Sequence, residues 1–346
     1  MSIFDLQQWM EGPSVYVIDS SGAGIFPYWY NRFIEMREQG DQEGEVVSID
    51  DLKSAIIFAA CGPNETLPVS PNFPADIFTS CLTTPIRMAL EWHVMNSPIY
   101  SKYNFHSDKI PGRVSHRNTP LGELHWIFTS VTDAIAFDVL PNSKSFFLFL
   151  FILFLFYFIL FFIFFYFICK IDVFLKLFRE DILISSLFRN FLLADRILRS
   201  QNCTPISVPQ IPQTSGHPMW KVWDHSVDQI LFQIPYLLQN PLREYRSSDF
   251  FTEQLHSLDV WLIFAKSHLE EAKLNPPVQL PIVLQVLLSQ SHREQALKIT
   301  SRFVDLGPWA VNTVNLLFFI IFYYFIFILF YFYFIYYFLF FIFIIF

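Results

Sequence analysis

The sequence predicts an α/β segment over residues 1–141 and an all-α solenoid beginning over 172–314, with two apolar tracts foreign to both. Three observations carry this. Val15-Tyr16-Val17-Ile18 and Ile56-Ile57-Phe58-Ala59-Ala60-Cys61 are short β-branched apolar runs, the pattern of buried strands, and helical patterns alternate with them. From 172 onward the pattern is helical, with Pro-containing links between amphipathic stretches. Stacked helices of that kind bury each pair's face against the next. Finally, residues 146–168 and 316–346 contain nothing but Phe, Leu, Ile and Tyr.

The first strand ends at Asp19. The loop after it, Ser20-Ser21-Gly22-Ala23-Gly24, is made of small residues that other backbone can approach closely. Ile25 to Glu38 follows as a helix, and residues 39–50 read as an acidic exposed loop. The second strand closes at Gly62-Pro63. Pro85 opens a helix through Met95, a place where its missing N–H costs nothing. Leu124, Phe128, Val131 and Ile135 share one face of a helix from Leu121 to Leu140.

In the second segment Phe174, Leu177, Ile184, Phe188, Phe191 and Leu198 form the first helical stripe. A Pro-rich link covers residues 204–218, and a helix over 219–239 breaks at Pro235. Phe251, Leu255, Leu258, Leu262 and Ala265 mark a third helix. Asn275-Pro276-Pro277 separates it from a short helix over 278–290. Ala296, Ile299, Phe303 and Leu306 mark the last, which Gly307-Pro308 stops: Gly suits a left-handed cap and Pro bars continuation.

Either apolar tract is long enough to span a bilayer, which takes about 20 residues. Evolved membrane helices mix in Gly, Ala, Ser and Thr, which let backbones approach. Neither tract contains any, and 12 of the 23 residues in 146–168 are Phe. Each of the four residue types used can be encoded by T and A alone. Ser143-Lys144-Ser145 and Val314-Asn315 can both be spelled as splice-donor sequence. The hypothesis is that both tracts are translated introns. Sequencing the processed transcript tests it, and finding both tracts in mature message would sink it. The other reading is a two-span membrane protein. That reading carries a physical difficulty: a crossing at 146–168 puts 1–141 and 172–314 on opposite sides of the bilayer.

The net charge is −8, with no basic stripe for nucleic acid. Cys61, Cys81, Cys169 and Cys203 form no CxxC and read as buried thiols of a reducing compartment. The first ten residues lack the basic and apolar regions of a secretory signal. The nine histidines make no metal-binding pattern, Gly22 and Gly24 are too few for a nucleotide loop, and no cofactor is expected. Asp50, Asp51 and Asp76 read as solvated or capping carboxylates. Ser20, after a buried strand and beside glycines, is a candidate nucleophile on position alone, but no GxSxG is present and a tight turn after the strand is the preferred reading. The basic, Pro-bounded stretch from Lys109 to Pro120 is the more interesting candidate, although on these residues alone a simple connector is the plainer reading. Arg113, Arg117 and Asn118 lie there, just before a helix N-terminus, where an acidic peptide or other anion would be attracted.

Five stretches resemble the raptor family, the regulatory-associated proteins of the TOR kinase. They are Pro74-Ala-Asp-Ile-Phe-Thr-Ser-Cys-Leu-Thr-Thr-Pro-Ile86, Thr119-Pro-Leu-Gly-Glu-Leu-His-Trp-Ile-Phe-Thr129, Ser186-Leu-Phe-Arg-Asn-Phe-Leu-Leu-Ala194, Leu280-Pro-Ile-Val-Leu-Gln-Val-Leu-Leu-Ser-Gln290 and Asp305-Leu-Gly-Pro-Trp-Ala-Val311. The resemblance implies four regions: a partial caspase-like domain (1–141), an insert (142–171), the start of an armadillo/HEAT-type solenoid (172–314) and an apolar tail (315–346). It implies a non-catalytic scaffold of the rapamycin-sensitive TOR complex. Such a scaffold recruits substrates bearing a short Phe-containing acidic motif, and Rag-type small GTPases bring it from the cytoplasm to the lysosomal surface. Arg117 stands where the motif's acidic residues would be met. Asn118 replaces a residue that is usually basic. Ser20 stands at the position of the family's caspase-type cysteine, whose partner histidine lies in a Gly-His-Gly-like motif upstream of position 1.

Overall fold

A computed structural model describes residues 14–38, 53–68, 75–97, 100, 109–140, 182–240, 244–287, 292–315 and 317. Both apolar tracts therefore fall outside the described residues, save Leu317, as do the loop 39–50, Phe174, Leu177, Cys169 and residues 288–291. Among the described residues, no helix is long and apolar enough to cross a membrane. The chain divides into two compact units, Met1–Ser248 and Asp249–Phe346.

The first unit is built on a three-stranded sheet of order β1-β2-β3. β1 (Val15–Ile18) and β2 (Ile56–Ala59) run parallel, with Val15 opposite Ile56 and Ile18 opposite Ala59. All four β2 residues are buried, as expected of a strand covered on both faces. Helix α1 (Ile25–Glu38) lays Phe26 and Tyr30 on Ile57, with Tyr16, Ile18 and Ile34 around them. Gly24 lets this corner close: a Cβ there would stand 2.8 Å from the Ile206 side chain and 2.9 Å from the Cys61 carbonyl oxygen.

Two short helices follow. In α2 (Ile77–Thr83) the Asp76 carboxylate accepts the Thr79 N–H at 2.9 Å, so Asp76 is a capping residue as expected. α3 (Pro85–Asn96) starts at its proline. The predicted stripe of α4 (Pro120–Val139) is the buried face: Leu124, Val131 and Ile135 have no exposure and Phe128 has 3%.

The segment after residue 172 is not all helical. α5 (Ile182–Ser200) is followed by β3 (Ile206–Val208), inside the stretch read as a link, and β3 pairs antiparallel with β2. Three residues flanked by Pro205 and Pro209 carry too little periodicity to announce a strand; what makes them one is the free edge of β2. α5 also packs on α2, α3 and α4, while α6 (Met219–Leu231) packs on α4. Phe191 of α5 sits 4.8 Å from Phe58 of β2, ring centre to ring centre, and the Asn190 amide donates to the Leu82 carbonyl at 2.8 Å. The predicted break near Pro235 occurs at residues 232–233, and α7 (Ile234–Gln239) carries Pro235 in its first turn. Residues on either side of the 146–168 tract thus share one sheet and one core. A single bilayer crossing by that tract is incompatible with this interface.

A polar joint binds the same two segments. His93 on α3 is 8% exposed, and its Nε2 lies 2.8 Å from Asp228 and its Nδ1 3.3 Å from Asp224, both on α6. Arg196 of α5 donates to Asp224 at 2.6 Å, and its guanidinium lies 4.7 Å from the Trp92 ring centre and 4.9 Å from that of Trp220. Burial alone would lower the His93 pKa. The hydrogen bonds and charges of Asp224 and Asp228 outweigh it and raise the ring above its ordinary 6.5. A raised folded-state pKa means stabilisation that is full below the unfolded value and fades as pH climbs through the folded one. Urea-unfolding midpoints are expected to fall as pH rises above 6.5, and His93→Gln to flatten that dependence. A midpoint slope unchanged by His93→Gln would refute the assignment.

The second unit packs α8 (Phe250–Ser267) against α10 (Leu280–Val286) and α11 (Arg293–Val304), with α9 (Leu269–Leu274) short between them. The α8 stripe of Phe251, Leu255, Leu258, Leu262 and Ala265 is buried as predicted, and so are Ala296, Ile299 and Phe303 of α11. Arg302 pairs with Asp259 across these helices. Gly307 has φ +126° and ends α11, but Pro308 does not end the helical pattern. It opens a further helical stretch, 308–315, at the position where proline fits.

Candidate functional site

The first turn of α4 organises the basic stretch before it. Thr119 is the N-cap, its hydroxyl oxygen accepting the Gly122 N–H at 3.3 Å while the hydroxyl donates to the His116 carbonyl at 2.7 Å. The loop turns back twice: the His116 N–H reaches the Arg113 carbonyl at 2.9 Å, and the Thr119 N–H reaches that of His116 at 3.1 Å. Gly122 is required here, because a Cβ would lie 2.0 Å from the His116 carbonyl oxygen. Gly112, at φ +114°, packs directly on the Thr119 side chain. Ile110 is buried and anchors the loop's start. The result is a folded projection held by backbone rather than by its cations.

The cations stand on its outside. Arg113, Arg117 and Asn118 are all exposed. The Arg117 guanidinium lies over the Trp126 ring, 4.4 Å from its centre, a contact of about 0.5–1 kcal/mol at an exposed site. Trp126 thus holds the Arg117 side chain along α4. The predicted cluster is brought together on one loop.

Sequence reading missed the other occupant of this turn. Glu123 is 3% exposed, and its carboxylate accepts from the Ser248 N–H at 2.8 Å, the Ser248 hydroxyl at 2.6 Å and the Tyr245 hydroxyl at 2.5 Å. Burial first, and Glu123 second, push the Tyr245 hydroxyl well above the usual tyrosine range, so it stays a donor. One helical turn therefore fixes both the basic loop and residues 244–248. A Glu in a first helical turn normally reads as helix-dipole compensation. Its partners lie more than 120 residues away, beyond any local pattern.

Ser20 sits elsewhere, at the end of β1. Its carbonyl accepts the Cys61 thiol at 3.3 Å and the Ala23 N–H at 3.2 Å. Among the described residues no base hydrogen-bonds its hydroxyl. Cys61, Cys81 and Cys203 are free and buried, and burial raises the Cys203 thiol to about 12. Such thiols are packing groups rather than nucleophiles. Among the described residues no group of three or more His, Cys, Asp or Glu could hold a metal ion.

The Protein raptor homolog of Dictyostelium discoideum is 40% identical over 381 residues, covering 90% of this chain and 23% of that protein. The chain is homologous to raptor. The Target of rapamycin complex 1 subunit mip1 of Schizosaccharomyces pombe is 43% identical over 322 residues, again 90% of this chain and 22% of the relative. The crystal structure of Chaetomium thermophilum Raptor aligns with a TM-score of 0.70 at 42% identity, over 90% of this chain and 25% of that one. The chain thus spans about a quarter of the length of the raptor proteins it matches. No protein-family model matches it.

Proposed function

We propose that this chain is a non-catalytic scaffold piece of TOR complex 1, with a partial caspase-like domain and the start of a solenoid. The observation that carries the reading is its 43% identity to a protein named as a subunit of that complex. In this reading the TOR kinase is its partner, and TOR substrates dock a Phe-containing acidic motif with their carboxylates on Arg117, assisted by Arg113. Asn118 supplies a hydrogen bond where a second cation would strengthen the contact. Rag-type small GTPases recruit the assembly from the cytoplasm to the lysosomal surface. Serine at position 20 supports a role without catalysis, since a hydroxyl without a base is a poor nucleophile.

The test is titration of the full chain with a fluorescent acidic peptide containing the Phe motif. Arg117→Glu turns an attraction into a repulsion and is expected to weaken binding at least tenfold, about 1.4 kcal/mol, with the unfolding midpoint unchanged. Binding equal in the parent chain and Arg117→Glu would remove the loop from the reading. Failure of both the peptide and the TOR kinase to associate with the chain would remove the scaffold role itself.

A further inference from the structure

The stretch 204–214 folds back over α5 and encloses a cavity of about 260 Å³. Its walls are half apolar, from Phe191, Leu192, Ile206 and Ile211, and Arg199 and Gln210 line it as well. The one carboxylate in the lining, Asp195, is already satisfied. Its Oδ2 accepts the Thr214 N–H and hydroxyl, both at 2.9 Å, and the Ser215 N–H at 3.0 Å, while its Oδ1 takes Arg199 Nε at 2.5 Å. Asp195 therefore fixes the Arg199 side chain through Nε and has no capacity left for a ligand's cation. The two terminal nitrogens of Arg199 have no hydrogen-bond partner among the described residues, and the side chain keeps 27% of its exposure.

We propose that this cavity binds a carboxylate carried on a single apolar residue-sized group. A planar fork with its terminal edge unused is shaped for a carboxylate. The apolar walls take the side chain attached to it, and Gln210 offers an amide to the ligand's own amide. Size sets the limit. A cavity of about 150 Å³ takes benzene, with six heavy atoms, so one of this volume takes about ten. A leucine-sized residue with a free carboxylate fits that count. The saturated Asp195 leaves no partner for a free ammonium, so the amine must be acylated. Two sources share this chemistry, the C-terminal residue of a peptide and a small N-acyl amino acid.

Ligand-observed NMR on the full chain tests it with N-acetyl-leucine, N-acetyl-leucinamide, and a tetrapeptide ending in leucine as free acid or amide. The acids are expected to bind with Kd on the order of 1 mM or tighter, and the amides at least tenfold more weakly. Tighter binding of the tetrapeptide acid assigns the peptide source, and tighter binding of N-acetyl-leucine the small-molecule source. Arg199→Gln is expected to weaken the acids tenfold or more. Ile211→Trp, which fills the cavity and leaves the charges in place, is expected to abolish binding, and it decides the matter if Arg199→Gln lowers the unfolding midpoint. Equal binding of acid and amide, binding unaltered by Ile211→Trp, or no binding by the parent chain at about 20 mM overturns the proposal.

Discussion

Phe191→Ala is expected to lower the unfolding free energy of the first unit by about 3–5 kcal/mol. Phe191 is 3% exposed and packs its ring 4.8 Å from Phe58 of β2 and 6.3 Å from Phe78 of α2. It is the point where the helix following the first apolar tract enters the core of the segment preceding it. Truncation removes the transfer free energy of the ring and leaves a void walled by a strand that cannot move without breaking two ladders. Domains are stable by only about 5–15 kcal/mol, so the loss is a large share of the whole. Phe232→Ala is the control: that ring is 68% exposed and its truncation is expected to cost under about 0.5 kcal/mol. Urea midpoints at unchanged slope measure both. Equal midpoints for the two variants would mean that α5 is not part of this core.

Glu123→Ala is the second large effect, with an expected cost of about 3 kcal/mol. It strands three donors at once: the Ser248 N–H, the Ser248 hydroxyl and the Tyr245 hydroxyl. Tyr245→Phe removes one partner and leaves the carboxylate two, so about 1 kcal/mol is expected there. Function separates this effect from simple destabilisation. The first turn of α4 also holds Thr119 and through it the loop bearing Arg117. Glu123→Ala is therefore expected to weaken the acidic peptide under conditions where the chain is still folded, and to open residues 244–248 to protease. Unaltered peptide affinity together with an intact 244–248 segment would show that the turn does not couple them.

Local chemistry made much of this legible in the sequence. The run at 56–59 and the α4 and α8 stripes are buried as read, because burial leaves an apolar mark on each, whereas the run at 15–18 is a strand but not a buried one: it lies at the sheet edge with Val15 37% and Val17 43% exposed. Asp76 as a cap and the cationic character of 109–118 needed only local reading. What stayed hidden depends on partners distant in sequence. β3 is three residues between prolines and is a strand because β2 offers it a ladder. The charge pattern could not show that His93 meets Asp224 and Asp228, or that Glu123 meets Ser248, since each pair spans more than 120 residues. The Arg117 position was legible, but the ring that orients it was not. Hydropathy over 146–168 pointed to a membrane; the pairing of β2 with β3 across that tract speaks against a crossing there.

The same pairing decides whether the two segments form one fold. Hydrogen exchange on the full chain, read at 56–59 and 206–208, reports whether residues before and after the first apolar tract share one sheet. Both segments are expected to be protected together and to lose protection together in Phe191→Ala. Slow exchange at 56–59 with fast exchange at 206–208, or protection at 56–59 unaltered by Phe191→Ala, would contradict it.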